Sequence, residues 1–69
     1  MKSWLQRARE AAGMSPAECA RIIGATEESF LIREKSPGML TVNELRALRS
    51  SFNDDARLIM WEALRELHP

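Results

Sequence analysis

Apolar positions along this chain recur three and four residues apart and do not alternate over any strand-length stretch, while Ala, Leu, Arg and Glu dominate the composition. The pattern predicts an all-α protein. It is clearest near the end of the chain, where Ala56, Ile59, Met60, Ala63, Leu64 and Leu67 form one stripe suited to facing a core. Leu58 and Trp61 fall off that stripe. An earlier stretch repeats the spacing through Leu5, Ala8 and Ala12, and a third sets Leu45 and Leu48 inward.

Capping and breaking residues divide the pattern into five helices. Ser3 with Gln6 reads as a capping box for the first, which stops at Gly13. Ser15, Pro16 at the first helical position and Glu18 open the second, and Gly24 closes it. Thr26 caps the third, with Glu27 and Glu28 against the positive end of its dipole, and Pro37 and Gly38 end it near Lys35. Thr41 and Glu44 box in a fourth helix to about Ser50, and Asn53, Asp54 and Asp55 begin a fifth that runs to about Leu67. The connections are short, so consecutive helices are expected to pack directly on one another.

Sixty-nine residues make one domain, close to the lower limit for a fold held by a single core without staples. A lone cysteine, Cys19, excludes an internal disulfide, and a lone histidine, His68, leaves no metal set of the usual spacing; no cofactor is expected. No apolar run approaches the roughly 18 residues of a membrane span, and the start lacks a basic-then-apolar signal pattern. The expected setting is reducing and cytoplasmic. Ten Lys and Arg balance ten Asp and Glu, whereas nucleic-acid binders are usually basic.

The second helix, a turn on Gly24 and the third helix have the spacing of a helix-turn-helix, with Ala20 small enough for a close crossing. The segment "LQRAREAAGMSPAECARIIGATEESFLIREK" resembles the Cro and lambda-type repressor family of five-helix DNA-binding domains, through Leu5, Arg9, Gly13, Met14, Ser15, Glu18, Cys19, Ala20, Ile23, Gly24, Thr26, Ser29, Phe30 and Glu34. The resemblance implies that Arg9 pairs with Glu34 and ties the first helix to the end of the recognition helix. It also implies a bacterial or phage transcription regulator, a repressor that reads double-stranded DNA as a homodimer.

On that resemblance Thr26, Glu27, Glu28, Ser29, Leu31 and Ile32 approach base edges. Arg21, Arg33 and Lys35, with Arg46 or Arg49, meet phosphates. The chain departs from the family pattern at Pro16, where a phosphate-holding glutamine is common, and at Arg33, which replaces an apolar core residue. Arg33 is expected to lay its stem on the core and send its guanidinium to a phosphate or to Glu34. Over Ser15 to Lys35, three cations (Arg21, Arg33, Lys35) face four carboxylates (Glu18, Glu27, Glu28, Glu34), a net of minus one.

That deficit supports a second expectation: the same scaffold turned to a protein partner through Ile22, Leu31 and Ile32, an apolar patch rimmed by glutamates. A small prophage protein that binds and modulates another regulatory or host protein would have this character. An enzyme is not expected. No nucleophile stands beside a base, and the adjacent Glu27 and Glu28 diverge by about 100° on a helix. Cys19 is read as a small core residue. Leu58, Trp61 and Arg65, off the inward stripe of the last helix, are expected at a two-fold interface.

Overall fold

Each helix begins where a side chain replaces a missing backbone partner. In the computed structural model, which describes residues 1–66, Ser3, Ser15, Thr26 and Thr41 each accept from the backbone N–H three residues on. They start α1 (Trp4–Ala11), α2 (Pro16–Ile23), α3 (Glu27–Lys35) and α4 (Val42–Ser51). Asn53 Oδ1 does the same for Ala56 N–H at 2.9 Å, at the head of α5 (Asp54–Glu66). No strand occurs among the described residues, which form an all-α arrangement of five α-helices. Leu67 and His68 lie outside them.

The boxes at Ser15–Glu18 and Thr41–Glu44 close in both directions. The one expected at Ser3 does not. Ser3 accepts from Gln6 N–H, but the Gln6 side chain turns toward Glu10 instead of back to the cap. Glu10 is on the same side of α1 four residues later and also takes Lys2 at 2.7 Å, so the amide joins a local polar cluster one turn along.

Gly24 terminates α2 in the left-handed region, φ 72° and ψ 32°. A Cβ there would meet nothing within 4 Å, so the requirement is conformational and not one of space. Any L side chain would cost roughly 1–2 kcal/mol in that region. From this turn Ala25 N–H donates to Ala20 O at 2.9 Å, which ends α2 abruptly and sends α3 off in a new direction. Between α3 and α4, Pro37–Met39 form a single 3-10 turn.

Leu5, Ala8, Cys19, Ala20, Phe30, Leu48, Phe52, Ala56 and Met60 form one core, with Trp4, Ile22, Ile23, Leu45, Ile59 and Leu64 packed against it. Phe30, Leu5 and Leu48 are fully enclosed, and removing each from water contributes about 1.5–3 kcal/mol. The principal partner of α1 is α5, while α2 packs on both α3 and α4. Direct packing of consecutive helices therefore holds for α2 and α3 but is not how α1 finds its main contact. Asn53 explains the closure: its Nδ2 donates to Ala11 O at 3.0 Å, so one residue caps α5 and fastens it to the end of α1.

Candidate functional site

The two flanks of α3 have opposite fates. Phe30 and Glu34 are buried, whereas Glu27, Glu28, Leu31, Ile32 and Lys35 are exposed. The inward flank is anchored by Arg9, whose Nε lies 2.7 Å from Glu34 Oε2 and whose Nη2 donates to Oε1 at 3.4 Å. Arg9 Nη1 also donates to Met14 O at 2.9 Å. Two planar groups matched in this way hold orientation as well as charge. The hydrogen bond from Arg9 to Glu34 raises the guanidinium pKa above its usual value despite some burial, and the expected tie between α1 and the end of α3 is present.

Arg33 does not go where the sequence suggested. Its Nη2 lies 3.2 Å from Glu44 Oε2 on α4, its Nη1 donates to Ser29 Oγ, and its Nε is buried without a partner. Glu34 is already taken by Arg9, and α4 presents a second carboxylate at the point where the Arg33 stem leaves the core. This cation is spent inside the fold and is not available to a phosphate. Ser29 is withdrawn with it, half-buried with its hydroxyl oxygen accepting from Arg33. Thr26 is exposed, but its Oγ1 accepts from Ser29 N–H at 3.1 Å.

The expected apolar patch loses one of its three members. Ile22 is half-buried against the core, because it follows Cys19 by three residues and shares part of the inward side of α2. Leu31 is 39% exposed and Ile32 57%. Leu31 is the more sheltered because it borders a shallow groove with Met1, Lys2, Ser3 and Gln6 at the start of α1. Beyond α3, Met39 and Val42 are also exposed, and neither was anticipated. Glu27 and Glu28 form no ion pair among the described residues.

Arg21, Lys35, Arg46 and Arg49 are exposed and have no ion-pair partner among the described residues. Arg46 and Arg49 sit three apart on the exposed flank of α4, beside half-buried Leu45 and turned away from buried Leu48. On α5, Leu58 and Trp61 are each 57% exposed, and the Arg65 guanidinium stands 5.1 Å from the centre of the Trp61 ring. The three expected interface residues thus share an outward flank.

Cys19 is fully buried, and burial pushes its thiol up to about 11, with nearby Arg9 opposing only in part. A thiol so shifted is a poor nucleophile near neutral pH. No group of three or more His, Cys, Asp and Glu able to hold a metal occurs among the described residues, and no helix there is long and apolar enough to cross a membrane. Comparison with protein-family models, with curated proteins and with solved structures finds no match to this chain.

Proposed function

We propose that this chain is a helix-turn-helix DNA-binding protein of the small phage-repressor type, a transcriptional regulator that lays α3 in the major groove and works in the cytoplasm as a homodimer. The observation that carries the reading is the division of α3: its inner flank is locked by Arg9–Glu34, and its outer flank stands open over its whole length. A recognition helix needs both conditions, a fixed orientation and an unobstructed face. Around it, Arg21, Lys35, Arg46 and Arg49 are the cations left to meet phosphates. Arg33 is removed from that set.

The test is titration of random duplex DNA at several salt concentrations. Four phosphate contacts per protomer, eight in the bound dimer, give a slope of roughly −7 in log affinity against log salt, from about −0.9 per contact. Lack of binding at low salt overturns the reading.

A second reading is favoured by Leu31 and Ile32, which stay exposed beside two unpaired carboxylates. Such a face suits a protein partner better than a polyanion. Glu27→Lys combined with Glu28→Lys separates the two: it strengthens non-specific DNA binding in either case, and it abolishes capture of a partner only if the partner is a protein.

A further inference from the structure

The chemistry left on the outer flank of α3 is unusual, and it restricts which bases that flank can accept. Arg33 is bound to Glu44 and Ser29. The Ser29 and Thr26 oxygens each accept within the helix, which leaves the exposed Thr26 hydroxyl hydrogen as a neutral donor at the start of the flank. At its amino-terminal half the flank offers two carboxylates, Glu27 and Glu28, and beyond them Leu31 and Ile32. The only side-chain cation on it is Lys35, in the last turn.

A carboxylate accepts hydrogen bonds and donates none. Guanine presents only acceptors, N7 and O6, to the major groove, so it repels Glu27 or Glu28 on the strand they face. Adenine offers its N6 donor beside the N7 acceptor, which opposes a carboxylate approaching both. Cytosine offers its N4 donor next to an apolar C5 edge. An aliphatic side chain one turn further along has one specific apolar feature to meet in that groove, the thymine 5-methyl group. Ile32, more exposed than Leu31, is the residue placed to meet it.

We infer that α3 selects a half-site in which cytosine amines face Glu27 and Glu28 and a thymine methyl faces Ile32, with guanine excluded from the strand under the two carboxylates. The inference rests on the DNA-binding reading above and names what that same surface reads. Recognition then divides by residue: Glu28 and Glu27 set the cytosine preference, Ile32 sets the thymine, and the exposed arginines supply sequence-independent affinity.

The experiment begins with selection of a preferred duplex from a random library by the wild-type protein. Each thymine of the selected half-site is then replaced by deoxyuridine, which removes the 5-methyl group and nothing else. Affinity is expected to fall about fourfold at one thymine, the fold-change equivalent of one buried methylene-sized group. Ile32→Ala, at an exposed position the fold does not need, is expected to bind thymine and uracil equally there. Glu28→Gln is expected to shift the preferred base from cytosine toward adenine, since an amide can both donate and accept. Equal wild-type affinity for every thymine and uracil duplex, or a selected site with guanine under the carboxylates, overturns the inference and leaves DNA binding intact. Failure to enrich any duplex at low salt instead overturns the DNA-binding reading on which it rests.

Discussion

Arg33 Nη2 on α3 lies 3.2 Å from Glu44 Oε2 on α4, and the other oxygen of that carboxylate accepts from Thr41 N–H at 3.0 Å. One side chain therefore caps α4 and neutralises a half-buried cation. Glu44→Ala removes both functions and is expected to cost about 2–4 kcal/mol, roughly 1 for the cap and 1–3 for the stranded guanidinium. Arg33→Leu leaves the cap intact and also removes the buried, unpartnered Nε. It strands the Glu44 carboxylate, 14% exposed, with Thr41 N–H as its remaining partner, so it is expected to cost about 1–3 kcal/mol and less than Glu44→Ala. Arg33→Leu with Glu44→Gln, which replaces both charges, is expected to be near neutral. Urea melts of the three variants check this, and a larger loss for Arg33→Leu than for Glu44→Ala would refute it.

Arg9 and Glu34 are the more enclosed pair. Their side chains are 12% and 9% exposed, so truncating one leaves a buried charge, a loss of about 3–5 kcal/mol. For a small domain that approaches the whole folding free energy. Glu34→Ala is expected to be largely unfolded or to melt far below wild type. Arg9→Lys is expected to fall between, since an ammonium cannot hold both Glu34 oxygens and the Met14 carbonyl in one plane. Circular dichroism melts give the order.

These two pairs mark what was legible in the chain. The helices and their starts followed from caps and breakers, and Arg9–Glu34 from the resemblance, because both depend on residues close in sequence or on a recurring pattern. Arg33–Glu44 did not, since the sequence offered Arg33 a phosphate or its neighbour Glu34, and only the angle between α3 and α4 brings Glu44 to it. Ile22 was misplaced for the same reason: periodicity gives the faces of α2, but the width of the buried face depends on how α4 leans against it. Met39 and Val42 carried no signal, lying in a turn and a first helical turn where apolar periodicity is undefined. Phe52, enclosed between α4 and α5, fell in a stretch that reads as a connection.

The Cys19 thiol gives a pH test. Burial raises it from an ordinary 9.0 to about 11, so the folded state holds its proton more tightly than the unfolded chain. The sign follows: this contribution is complete below about pH 9 and disappears as pH rises through about 11. Alkaline destabilisation is expected to be shallower in Cys19→Ala than in wild type over that range. At neutral pH a thiol reagent is expected to label Cys19 only as fast as the protein opens. Rapid labelling with no dependence on denaturant would contradict its burial.

At the other end of the scale, Glu18 sits below the usual carboxylate range, chiefly because its carboxylate accepts from the Ser15 backbone N–H. A lowered value in the folded state stabilises above the ordinary carboxylate range, and the effect is lost as pH falls through the folded value. Glu18→Gln is expected to be less stable than wild type at neutral pH and to converge with it in acid. Parallel melting curves across the whole acid limb would show that the box contributes no charge effect.

Leu58, Trp61 and Arg65 follow one another at three and four residues on α5, on the side away from buried Ala56 and Met60. Single exposed apolar residues are ordinary, but a leucine and a tryptophan on one flank, with a guanidinium laid over the ring, form an anchor of the kind that carries binding energy. In a two-fold pairing the same residues serve both protomers, so one substitution acts twice. Wild type is expected to sediment as a concentration-dependent dimer. Trp61→Ala is expected to weaken dimerisation at least thirtyfold, the equivalent of about 2 kcal/mol for a central aromatic, without changing the thermal melt of the isolated protomer. Leu58→Glu places like charges across the axis and is expected to give monomer alone. An assembly state unaltered by both substitutions would remove α5 as the interface, and the two copies of α3 would then have to be set one groove turn apart by some other surface.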